Sequence, residues 1–118
     1  MTFARLLTLG MLCISTISAH AQSDQSRQTA VLGAQMAGGT ARIAADICQL
    51  DPKQIDAYKE RARHAFAADE NFEGDWILGW NNQQNAVDGI SKLKVNSPDE
   101  YALQKSETCA RIRGEMNL

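Results

Sequence analysis

Apolar residues return every three or four positions through most of the chain, which is the period of an amphipathic helix. From about Ser26 to Leu50 the recurring positions are Leu32, Met36, Ile43, Ile47 and Leu50, with Gly39 at the missing step. Beside them runs a ridge of small residues, Gly33, Ala37, Ala41 and Ala44, which lets another helix come close. A second helix is expected from Pro52 to about Ala68, with Ile55, Tyr58, Ala62 and Phe66 on its buried stripe. A third starts near Asn71 or Glu73 and runs to about Lys94 through Phe72, Trp76, Trp80, Val87 and Ile90. A fourth runs from Pro98 to about Met116 on a thinner stripe, Ala102, Cys109, Ile112 and Met116, with Tyr101 and Leu103 at its start.

The punctuation agrees with this division. Asp51-Pro52-Lys53-Gln54 offers a cap, a proline at the first helical position and a capping-box partner three residues on. Ser97-Pro98-Asp99-Glu100 repeats the pattern. No run of β-branched residues and no hairpin signal reads as a strand. Two places strain the helical reading. Gly38-Gly39 weakens the first helix by about 1 kcal/mol per glycine relative to alanine, so it either breaks there or uses the missing side chains to admit an indole. The amides Asn81 to Asn85 interrupt the third helix and put Gln83 or Gln84 on or beside its seam. Asp75-Trp76-Ile77-Leu78-Gly79-Trp80 is apolar on every side, which predicts a buried segment around which the other helices pack.

The first residues have the composition of an export signal: Arg5, an apolar run from Leu6 to Ile17, and Ala19-His20-Ala21 as a small-x-small cleavage site. The run is shorter than the roughly 20 residues a membrane span requires. Cys13 lacks the preceding small residue of a lipoprotein signal, so no membrane anchor is expected. The expectation is a secreted or periplasmic protein, residues 1–21 a cleaved signal and 22–118 a single helical domain. The whole chain has 12 Lys and Arg against 14 Asp and Glu, a net charge of −2. No basic cluster long enough to track a phosphate backbone stands out, which argues against nucleic acid as a partner. The signal removed, two cysteines remain. An even count in an exported chain reads as one disulfide, Cys48 to Cys109. They lie 61 positions apart, and closing such a loop contributes roughly 4 kcal/mol in the chain-entropy account.

Short links suggest an up-down-up-down arrangement. That would set the end of the first helix beside the start of the fourth, yet Cys109 lies about 17 Å into the fourth at 1.5 Å per residue. Covalent geometry is the stricter constraint. The expected fold is therefore all-α, a small four-helix domain, irregular or steeply crossed rather than a regular bundle.

Candidate chemistry is sparse. Asp69-Glu70-Asn71-Phe72-Glu73-Gly74 resembles the first half of a calcium-binding EF-hand loop, but Trp80 occupies the position where the bidentate carboxylate belongs. Two cysteines and the distant His64 do not make a zinc set. The carboxylates Asp69, Glu70, Glu73 and Asp75 have the residue type of a hydrolase acid/base pair, but four short helices seldom supply the cleft. His64 has Glu60 one turn away and reads as a surface residue. No catalytic residue, metal or cofactor is expected, and the protein is expected not to be an enzyme. Its expected work is binding another protein, through Trp80, Gln83 and Gln84 beside the amide run and through Asp69, Glu70 and Glu73 in the acidic loop. In outline the chain resembles periplasmic acid-stress chaperones and, equally, helical immunity proteins that guard the envelope against toxins. No motif carries either resemblance, so no residue role is transferred.

Overall fold

The computed structural model describes residues 17–118, with side chains from Ser23 onward. The expected signal therefore lies outside the described residues up to Thr16, Cys13 included, and the side chains of its cleavage site are not described. The elements among the described residues are all helices: α1 (Ile17–Asp46), α2 (Pro52–Ala65), α3 (Phe72–Asn82), α4 (Gln84–Asn96) and α5 (Pro98–Glu115). The four-helix outline holds, with α3 and α4 standing where one long helix was expected. They meet at Gln83, whose φ of −85° and ψ of 0° interrupt the helix. Asp51 caps α2 as read from the sequence, accepting a hydrogen bond from the Lys53 N–H at 2.9 Å. Between α1 and α2, Gln49 takes a left-handed φ of 52° and turns the chain without the glycine usual at such positions.

The centre of the fold is α1, not the tryptophan segment. It packs against α2, α3 and α5, and its buried face is the ridge of small residues: Ala30, Ala34, Ala37, Ala41 and Ala44. Leu32 and Met36, expected on the buried stripe, stand 61 % and 74 % exposed. The reason lies in two glycines. A Cβ on Gly38 would sit 2.1 Å from the Trp76 carbonyl oxygen, and one on Gly79 would sit 1.8 Å from the Gln35 carbonyl oxygen. The two helices touch backbone to backbone, so the small side of α1 must face inward and the large side chains turn out. The glycine pair does not break α1. Gly38 makes room for the α3 main chain rather than for an indole, and Gly39 lies beneath the Gln83 side chain. On α3, Phe72, Trp76 and Gly79 are buried, while Ile77 and Leu78 are half exposed at 53 % and 47 %. The expectation that Asp75–Trp80 is buried on every side is thus corrected: one face is buried and one is open.

Two apolar clusters follow. The first joins Ala34, Ala37 and Ala41 to Ala62, Phe72 and Trp76, with Tyr58, Phe66 and Trp80 at its edge. Trp76 rests on the alanine ridge at Ala34, Ala37 and Ala41, while Ala44 belongs to the second cluster. That cluster gathers Ile43, Ala44, Ile47, Val87, Ile112 and Met116 beside the disulfide. Cys48 and Cys109 are bonded, with Cα atoms 5.5 Å apart.

The apparent conflict between staple and bundle is resolved by an offset along the axis. Thr40 donates to Glu115 at 3.0 Å, Ile43 and Ile47 cluster with Ile112, and Cys48 meets Cys109. Contacts advance along α1 while receding along α5, so the two run antiparallel. Only the last part of α5 lies beside α1. Its first half runs past the end of α1 in the company of α4, and no break in α1 is needed.

The glycine contacts make a contrast that denaturant unfolding can check. Gly38→Ala and Gly79→Ala force two main chains apart and are expected to cost about 1–3 kcal/mol or more, the range for overpacking. A Cβ at Gly89 meets nothing within 4 Å, so Gly89→Ala should stabilise by roughly 0.5–1 kcal/mol, the helix-interior preference for alanine.

Candidate functional site

The residues expected to bind a partner fall at the two ends of α3, about 16 Å apart at 1.5 Å per residue. They form two settings, not one.

At the first end, the turn from Asp69 to Asn71 leads into α3. Asp69 is 6 % exposed. One of its oxygens, Oδ1, accepts from the Asn71 N–H at 2.9 Å, a local ring typical of aspartate in turns. The other, Oδ2, is buried and has no hydrogen-bond donor among the described residues. Burial raises the Asp69 carboxyl above the usual aspartate range, and the nearby Asp75 carboxylate adds to the rise. Asp75 in turn accepts from the Gln35 side-chain amide of α1 at 2.9 Å. Glu73, one turn from Asp69, faces the other way. It accepts from Lys59 Nζ at 2.8 Å and from the Arg63 guanidinium, both on α2. Those two bonds, Lys59 first, hold its carboxyl below the usual glutamate range. Lys59 is thereby used between helices. The same cations lie over rings: Lys59 Nζ is 5.5 Å from the Trp76 ring centre, and the Arg63 guanidinium carbon is 5.0 Å from that of Phe72.

Glu70 stays exposed. It lines a 400 Å³ surface hollow with Arg63, His64, Asp69, Asn71 and Glu73. Of the oxygens that the EF-hand likeness would aim at one cation, Asp69 Oδ1 is used within the turn and those of Glu73 are turned to α2. Among the described residues no three His, Cys, Asp or Glu groups are arranged as metal ligands.

At the second end, Arg42 of α1 gathers the other expected residues. Its Nη1 donates to the Trp80 carbonyl at 3.3 Å, its Nη2 to the Gln84 side chain, and its Nε to Asp46. The guanidinium carbon lies 5.5 Å from the Trp80 ring centre. Gln84 passes the contact on to Asp88 at 2.9 Å. Gln83 covers Gly39. The amide run is therefore a joint between α3 and α4, held by one arginine across a helix end where the Trp80 carbonyl also accepts from the Gln83 N–H at 3.3 Å. Sequence reasoning missed Arg42 and Gln35 because both belong to the first helix, some forty positions away. It also missed Leu32, Met36, Ile77 and Leu78 as surface residues. The signal that locates them is Gly38 read together with Gly79 as a close helix contact.

Arg42 is only 12 % exposed along its side chain, and its removal takes a charged donor from the Trp80 carbonyl, from Gln84 and from Asp46. Arg42→Ala is expected to lower stability by about 1.5–3 kcal/mol, the range for hydrogen bonds to a charged group. Arg42→Lys should recover less than half, since one ammonium cannot reproduce the guanidinium fork. Urea unfolding of both variants checks this. Compared with protein-family models, with curated proteins and with solved structures, the chain matches none of them.

Proposed function

We propose that this is an exported helical protein that acts by binding another protein, through the open face along the α1–α3 seam. The observation that carries the reading is the exposure of large apolar residues at that seam. Leu32 and Met36 are one turn apart on α1. Gln35, beside Met36, reaches Asp75, and its carbonyl lies under Gly79. Leu78, next to Gly79 and one turn from Asp75, is exposed in the same neighbourhood. Single exposed apolar residues are ordinary, but a group of them on adjoining helices is the usual mark of a contact surface. Of the polar residues first expected to meet the partner, Asp69, Glu73 and Gln84 make hydrogen bonds within the fold and Gln83 packs over Gly39. Trp80 and exposed Glu70 would lie at the margin. The internal use of the acidic loop also weighs against the hydrolase alternative.

The export reading rests on the Ala19-His20-Ala21 site and on the disulfide, which suits an oxidising compartment. No helix among the described residues is long and apolar enough to cross a membrane. The two binding roles, acid-stress chaperone and immunity protein, differ in what acid should do, and only the chaperone requires the fold to loosen at low pH. Glu73 has a lowered carboxyl, so its ties to α2 stabilise above the ordinary glutamate range and are lost as pH falls through its own titration.

Two outcomes are expected. A photo-cross-linking group placed at Leu32, Met36 or Leu78 should give one discrete adduct in the producing cell envelope, and none when placed at exposed Lys92 or Glu107. Equal labelling from all five positions, or none from any, would remove the proposed face. Mass spectrometry of the exported protein should find a chain beginning at Gln22 and two protons lighter than its reduced form. An intact Met1 with two alkylatable thiols would overturn the export reading.

A further inference from the structure

Two runs of the chain carry no charged side chain: Gln28 to Ala41 on α1, and Trp76 to Val87 across α3 and the start of α4. The tertiary structure lays them side by side. Gly38 meets the Trp76 main chain, Gly79 meets that of Gln35, and Gly39 lies beneath Gln83. The seam between them is therefore bare of charge, in a chain of which 22 % is charged, so it offers no sign for a partner to match. Its exposed residues include Leu32 and Met36 on α1 and Leu78 on α3, with the amides of Gln28 and Asn82 beside them. The charges that border the seam are already engaged. Arg27 lies 4.0 Å from Asp24, Asp75 accepts from Gln35, and Arg42 donates to Asp46 and Gln84.

A partner of opposite charge has nothing to recognise on such a face, whereas a second copy of this chain fits it. Two copies share one net charge, −2 for the whole sequence, and repel wherever charged surfaces meet. The bare seam is where they can approach without that cost, and interfaces are depleted of charge at their centre. A two-fold pairing sets the same patch against itself. Amides suit this because each both donates and accepts, so an amide can bond its own copy, while two ammonium groups cannot.

We propose that this chain pairs with a second copy of itself across the charge-free α1–α3 face, with Leu32, Met36 and Leu78 at the centre and Gln28 and Asn82 at the rim. The inference rests on the partner-binding reading and names the partner. The face is modest, two helices each about 10 Å across over a bare run about 20 Å long. Small interfaces give reversible complexes, so the pairing is expected in the micromolar range.

Sedimentation equilibrium of the oxidised protein over a concentration series tests this, together with isotope-filtered NMR on mixed labelled and unlabelled copies. The expected result is a dimer that added salt does not weaken, with contacts between copies from the methyl groups of Leu32, Met36 and Leu78. Met36→Glu sets like charges on facing copies and should raise the dissociation constant at least about tenfold. Val95→Glu, at an 83 % exposed residue of α4, should leave it unchanged. A chain that stays monomeric at submillimolar concentration overturns the self-pairing, as does a dimer whose contacts lie elsewhere or one that Met36→Glu leaves intact. The NMR readout uses the unaltered protein, so no variant's folding decides the outcome. The broader reading fails separately. A monomer that still gives one adduct from Met36 in the envelope, at a mass other than that of two copies, keeps the binding face and loses only the second copy. With neither dimer nor adduct, both are lost.

Discussion

The close approach of α1 to α3 is the constraint on which the other contacts depend. Two glycines, 38 and 79, let main chain meet main chain where any Cβ would collide. At that separation only alanine-sized side chains fit between the helices, which explains the run of buried alanines on α1. Trp76 can then lie flat on this ridge and bring Phe72 and Tyr58 with it, at ring separations of 5.9 and 6.2 Å. The same approach sets Gln35 against Asp75 and Arg42 against the end of α3. A wider spacing would break both polar contacts and leave the indole without its floor.

Stability is thus shared between unlike devices. One half of the molecule has an aromatic cluster on an alanine surface. The other half has a modest aliphatic cluster and a covalent staple. Neither cluster is large, and small domains with limited cores commonly need such a staple. The disulfide also explains the offset of α5. Because Cys48 follows the last turn of α1 and Cys109 lies well inside α5, the bond holds the two helices end to middle. The α4–α5 pair is left to extend past α1, where Val95 and Leu103 stand exposed.

Polar chemistry gathers where helices end. The first turn of α3 carries carboxylates, which suit the positive end of the helix dipole, and its last turn is met by Arg42. The first turn is bound to α2 through Glu73 and to α1 through Asp75, and the last turn to α1 through Arg42, so α3 works as a strut between α1 and α2. The exposure of Leu32 and Met36 follows from the same geometry: with the small residues of α1 packed inward, its large residues are turned outward, beside the exposed Leu78 of α3. A binding face at that seam would therefore be a by-product of close packing, put to use.

What the sequence by itself determined was local or covalent. The helical period, the cap at Asp51, the start of α5 after Ser97 (which stands at the N-cap position without a side-chain cap bond) and the pairing of Cys48 with Cys109 could all be read in one dimension. These depend on near neighbours or on strict bond geometry. Which side of α1 faces inward was not legible, because hydrophobicity alone favours burying Leu32 and Met36. Only the tertiary contact between two glycines forty positions apart reverses that preference. The same holds for the split at Gln83, the partners of Lys59 and Arg42, and the unmet oxygen of Asp69. Each is decided by atoms from another helix, and no spacing within one helix records them.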